Sequence, residues 1–118
     1  MADVLAGEGY VVFAVDLCDG RVASNPSYAG QLSGEVQEHP DEVVQKMRQA
    51  TAGVHELLST TNQVASLGWC FGGGQSLQLS LGEADLSATV IYYGMLATDH
   101  ETLQRINEPV VCIFGSED

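Results

Sequence analysis

Four apolar runs punctuate the chain: GYVVFAVDL at residues 9–17, NQVASLGW at 62–69, ATVIYYG at 88–94 and PVVCIFG at 109–115. Each is short and nearly continuous, rich in β-branched and aromatic residues, which suits strands buried on both faces in a parallel sheet covered by helices. Between the first two runs, Val43, Val44, Met47, Ala50, Val54, Leu57 and Leu58 recur at helical spacing over residues 41–58 and form one apolar stripe. Pro40 ahead of Asp41 and Glu42 marks its start, because proline suits the first helical position and acids suit the positive end of the helix dipole. Residues 73–82 and 99–106 are shorter helical candidates, while residues 19–38, rich in Gly, Ser, Asn and Gln, read as an irregular surface excursion. The order βαβαβαβ predicts an α/β fold, a three-layer sandwich with a mainly parallel sheet of about four strands and right-handed crossovers. The helix at 41–58 is expected to pack on that sheet through Val44, Met47, Val54 and Leu58.

Composition narrows the function classes. The chain has 118 residues with no compositional break and 45% hydrophobic content, enough for one modest core in a single domain. Sixteen acidic residues against Arg21, Lys46, Arg48 and Arg105 give a net charge of −12. Phosphate backbones and anionic lipid surfaces would be repelled, so neither nucleic acid nor a membrane is an expected partner. No apolar run is long enough to span a bilayer, and MADVLAGEGY lacks the regions of a signal peptide, so a cytoplasmic location is expected. Cys18, Cys70 and Cys112 are odd in number and lack CxxC spacing, so free thiols are expected, with no metal site and no cofactor.

The stretch GWCFGGG at residues 68–74 falls where a strand gives way to a helix. A cysteine there occupies a sharp turn, and Gly68 and Gly72, two residues before and two after Cys70, let neighbouring backbone pass closely. This is the G-x-C-x-G form of a nucleophile elbow, with Gly73 continuing the glycine run. The backbone N–H groups of Phe71 and Gly72 then lie at a helix N-terminus, where they can hold an oxyanion and where the dipole favours negative charge at Cys70. A phosphate-binding loop is the competing reading, but the P-loop lysine is absent and the spacing is not GxGxxG. In CIFGSED a strand leads straight to Glu117 and Asp118, the place where hydrolases with an elbow put the triad acid.

With GYVVFAVDL, GWCFGGG, ATVIYYG and PVVCIFGSED in this order over nearly the whole chain, the sequence resembles the dienelactone hydrolase family, cysteine-nucleophile members of the α/β-hydrolase superfamily. The resemblance implies Cys70 as nucleophile, Asp118 as triad acid, the Phe71 N–H as an oxyanion donor, and a small-molecule ester or lactone as substrate. It covers only the central part of that fold, so residues 1–118 are expected to form a single partial α/β-hydrolase domain. The family's triad histidine follows the acid, whereas His39, His55 and His100 all precede Asp118.

The resemblance also implies that a strand is missing between those at 9–17 and 62–69. Direct pairing of these two runs is the expected remedy, with a homodimer burying the surface left over. Two other functions compete with the hydrolase: a non-catalytic relic domain for binding or self-association, and a thiol-based redox protein using Cys70.

Overall fold

The computed structural model describes residues 1–57, 60–82 and 84–116. In chain order the elements are α1 (Ala2–Gly7), α2 (Pro26–Glu38), α3 (Pro40–His55), β1 (Ala65–Trp69), α4 (Phe71–Leu81), β2 (Ala88–Tyr92), α5 (His100–Leu103) and β3 (Val110–Ile113). The strands form one parallel sheet in the order β1-β2-β3. The α/β class therefore stands, with three strands among the described residues where about four were expected.

The run at 9–17 is the strand that does not form. Residues 10–16 carry no strand pairing, and Tyr10, Val11, Phe13 and Val15 are exposed. Direct pairing with β1 is thus overturned. A strand is a relation between neighbours, and strong β-formers without a partner gain nothing from the ladder. Only Leu17 and Cys18, at its end, pack against buried side chains.

The second departure is α2, which occupies much of the supposed excursion at 19–38. Its first turn is set by Asn25, whose side chain accepts from the Tyr28 N–H at 2.9 Å, and by Pro26 at the opening position. Leu32 and Val36, one turn apart, are its buried side chains. Val36 meets Val43 and Met47 of α3 in one buried cluster, so few apolar positions within a polar composition suffice to hold the helix.

The buried stripe of α3 is Val43, Met47 and Thr51, each four residues on from the last. Met47 and Val43 meet Val36 of α2 and Leu79 of α4, so α3 packs on helices and not on the sheet. Of the expected sheet contacts, Val44 and Val54 are half-buried and Leu57 in the same stripe is exposed; Leu58 lies outside the described residues.

α4 packs on β1 and β2. Its Leu77 and Leu81 close over the fully buried Ile91. On the same face Ser66 Oγ donates to Thr89 Oγ1 at 3.1 Å, and Thr89 Oγ1 donates to Glu108 Oε1 at 2.9 Å, so one polar chain ties β1, β2 and the entry to β3. The register places Leu67, Val90 and Val111 in one row of the opposite face and Trp69, Tyr92 and Ile113 in the next. Trp69 and Tyr92 stack with ring centroids 5.5 Å apart, while Val111 and Ile113 remain exposed.

Candidate active site

β1 ends at Trp69 and α4 begins at Phe71, leaving Cys70 alone to turn the chain. Its φ of 51° and ψ of −118° fall in the left-handed half of backbone space, which a side chain disfavours and which a sharp strand-to-helix turn demands. Two backbone hydrogen bonds hold it there: the Cys70 N–H donates to the Tyr92 carbonyl at 2.9 Å, and the Gly74 N–H donates to the Cys70 carbonyl at 3.2 Å. The side chain is exposed. Phe71 and Gly72 form the first turn of α4, where backbone N–H groups have no partner within the helix.

Gly68 is required by space. A Cβ on it would sit 2.1 Å from the Gly72 carbonyl oxygen, because the first turn of α4 folds back on the end of β1. Gly72 behaves differently from the sequence reading: nothing lies within 4 Å of a Cβ placed there, so the close approach needs its backbone and not its lack of a side chain. Gly73 is buried, with the Gly68 carbonyl, Gly94 Cα and Ile91 all 3.2 Å from a would-be Cβ.

Two residues of this turn escaped the sequence reading. A Cβ on Gly94 would lie 2.6 Å from the Gly74 nitrogen, so the chain leaving β2 passes directly over the start of α4. Beside it Tyr93 also has a positive φ, 39°, and its N–H donates to the Ile113 carbonyl at 2.8 Å. The signal was present in the tyrosine-glycine pair closing ATVIYYG, where a glycine ends a strand.

Cys70 and Tyr93 open onto a groove of about 1710 Å³ that runs along α4 between α3 and the segment around α5. No histidine lines it among the described residues. His55 is committed elsewhere: Nδ1 lies 2.9 Å from Asn62 Oδ1, and Nε2 lies 2.9 Å from the Asp85 carbonyl. Hydrogen bonding to the Asp85 backbone, then to Asn62, raises its pKa above the usual histidine range. Asn62 precedes β1 whereas Cys70 follows it, so the length of the strand, about 16 Å, separates His55 from the elbow. His39 sits at the junction of α2 and α3, and His100 opens α5 behind the Asp99 cap. The structure thus gathers Gly68, Cys70, Phe71, Gly72 and Gly73 into one turn, and Asp118 lies outside the described residues.

Comparison with known proteins agrees with this geometry. The model of the dienelactone hydrolase family matches residues 1–118. The chain is 30% identical to a protein of Aquifex aeolicus (strain VF5) named "Putative carboxymethylenebutenolidase", and 29% identical to "Protein usf" of Aquifex pyrophilus; each match covers 100% of this chain and 52% of the relative. A solved structure named m3DLH superposes with a TM-score of 0.84 at 28% identity, over 99% of this chain and 50% of that one. The chain therefore spans about half the length of the relatives it matches.

Proposed function

We propose, given that this chain belongs to the dienelactone hydrolase family, that it carries the nucleophile elbow of a hydrolase acting on ester or lactone bonds, with Cys70 as the attacking residue. The observation that carries the proposal is the backbone of Cys70: an exposed thiol held at positive φ between a parallel strand and a helix N-terminus. Strain of that kind persists where the surrounding structure enforces it, and here Gly68 and Gly94 admit the close backbone approaches that do so.

In the proposed reaction Cys70 Sγ bonds to the carbonyl carbon, and the carbonyl π electrons move to oxygen, where the Phe71 N–H holds the developing charge. Collapse of this intermediate re-forms the carbonyl, breaks the acyl C–O bond, leaves a thioester on Cys70 and releases the alkoxide, which takes up the proton given up by the thiol and departs as an alcohol. Water then releases the acid and returns the thiol. The thiol proton needs a base, and Asp118 in the acid's role would orient a histidine that is not among the described residues lining this chain's own groove. A homodimer in the cytoplasm belongs to the same proposal. No helix among the described residues is long and apolar enough to cross a membrane.

Assay with p-nitrophenyl acetate and a small lactone tests this. The expected result is acylation of Cys70 with a burst of p-nitrophenol and slow turnover, both lost in Cys70→Ala. Hydrolysis unchanged by Cys70→Ala would overturn the reading. A second reading is a binding or self-association domain without catalysis, in keeping with a groove that no histidine lines among the described residues; absence of any Cys70 acylation would favour it.

A further inference from the structure

The four basic side chains divide into two kinds. Arg21 pairs with Glu35 at 2.6 Å and Lys46 with Asp19 at 2.6 Å, whereas Arg48 and Arg105 have no ion-pair partner among the described residues. Both of the unpaired guanidiniums line the groove along α4. Asp41 is its one carboxylate among the described residues, in a chain that carries sixteen acids. The groove also has an apolar component, with Met95 and Leu96 exposed in its lining, so it is a cationic, partly apolar channel on an otherwise acidic molecule. At about 1710 Å³ it exceeds the roughly 300–1,000 Å³ of small-molecule sites and is scaled to a polypeptide segment.

A segment of the opposite character stands at the start of the chain. No residue of α1 is buried, and Met1 and Val4, one turn apart, are exposed at 65% and 63%. Asp3 and Glu8 are its charged side chains, and residues 1–13 contain no lysine or arginine. The apolar run at 10–15 extends this uncovered surface. None of these residues lines the groove of its own chain.

We infer that the groove along α4 receives the N-terminal arm of a second copy of this chain, in a reciprocal exchange about a two-fold axis. Met1, Val4 and Leu5 of the arm lie on the apolar part of the groove, and Asp3 and Glu8 face Arg48 and Arg105. The helix of the arm fits within the groove, since six residues of α1 span about 9 Å against about 16 Å for the eleven of α4. Reciprocal docking gives a closed, isologous dimer, in which each arm finds the complementary charge that its own surface lacks. The inference rests on the self-association proposed above and names its interface.

Sedimentation velocity over about a hundredfold range of concentration tests it, because a dimer's population follows protomer concentration. The wild type should dimerise, and the Arg48→Glu, Arg105→Glu double variant should raise the dissociation constant at least about tenfold. Adding Asp3→Arg and Glu8→Arg to that variant should recover the loss. Far-UV circular dichroism checks folding; should the double variant not fold, Val4→Asp, at a side chain the core does not use, should weaken the dimer alike. A dimer indifferent to these charges and to Val4→Asp would overturn the interface and leave self-association standing. A wild type that stays monomeric throughout would overturn both, with the hydrolase reading judged separately by Cys70 acylation.

Discussion

At the scale of single residues, the elbow rests on what two glycines can and cannot accept. Gly68→Ala would put a methyl group 2.1 Å from the Gly72 oxygen, and because that neighbour is backbone it cannot rotate away. A cost above about 3 kcal/mol is expected, beyond the usual penalty of overpacking. Gly72→Ala meets nothing within 4 Å and occupies a helix position, so its effect should stay within about 1 kcal/mol in either direction. Urea unfolding of the two variants distinguishes them, and equal losses would contradict the close approach at Gly68. The sequence paired these glycines because the spacing is symmetric about Cys70; three-dimensional packing is not, and only the residue facing the returning turn is constrained. Gly94 was legible in its type but not in its partner, since contact between residues twenty apart depends on how the sheet is stacked. The thiols differ likewise from expectation: Cys112, assigned to a buried strand, is exposed at the edge of the sheet, and Cys18 is half-buried. Limiting iodoacetamide should still alkylate Cys70 ahead of Cys112, because charge developing on its sulfur lies at the N-terminus of α4. Earlier labelling of Cys112 in peptide maps would mean that exposure alone governs reactivity.

At the scale of elements, the apolar runs and the long apolar stripe were readable where each meets a neighbour within this chain. The runs at 62–69, 88–94 and 109–115 became β1, β2 and β3, and the helix at 41–58 became α3, because each has a partner to bury against. Residues 9–17 have the same composition and no strand beside them, so pattern alone overstated them. For α2 the reverse holds: a capping asparagine, a proline and two buried side chains outweigh a composition that resembles a loop. Met47, only 5% exposed between α2 and α4, tests the helix layer. Met47→Asp would bury an unpaired carboxylate at a cost of several kcal/mol, so thermal melts should collapse; a melt close to wild type would take α3 out of the core.

Glu108 tests the polar chain beneath α4. Burial pushes its carboxyl up, but the hydrogen bond from Thr89, the facing Ser80 hydroxyl and nearby backbone groups outweigh burial and hold it below the usual glutamate range. A folded-state value below the unfolded one adds stability that is complete above the unfolded pKa, about 4.3, and is lost as pH falls through the lower folded value. Stability measured from about pH 6 to about pH 3 should therefore fall less steeply in Glu108→Gln than in the wild type. Identical slopes would show that this carboxylate does not couple β2 to β3.

The whole molecule is governed by its charge. The Cα radius of gyration is 14.6 Å, and the net charge is −12. In about 0.01 M salt the screening length is about 30 Å, so every acid repels most of the others; in about 0.15 M salt it is about 8 Å, and only near neighbours interact. The two ion pairs that oppose this repulsion, Arg21–Glu35 and Lys46–Asp19, have exposed or partly exposed side chains. Pairs of that kind contribute about 0–1 kcal/mol each and are themselves weakened by salt. Long-range repulsion is the larger effect, because sixteen acids take part in it and only two of them have a basic partner in these pairs. Sodium chloride should therefore raise the melting temperature between about 0.01 M and about 0.15 M, read by circular dichroism at pH 7. The comparison belongs at a protomer concentration low enough to keep the chain monomeric, so that any salt effect on association does not enter. A melting temperature that falls across this range would mean that the local pairs, and not the overall field, decide the electrostatic stability of the fold.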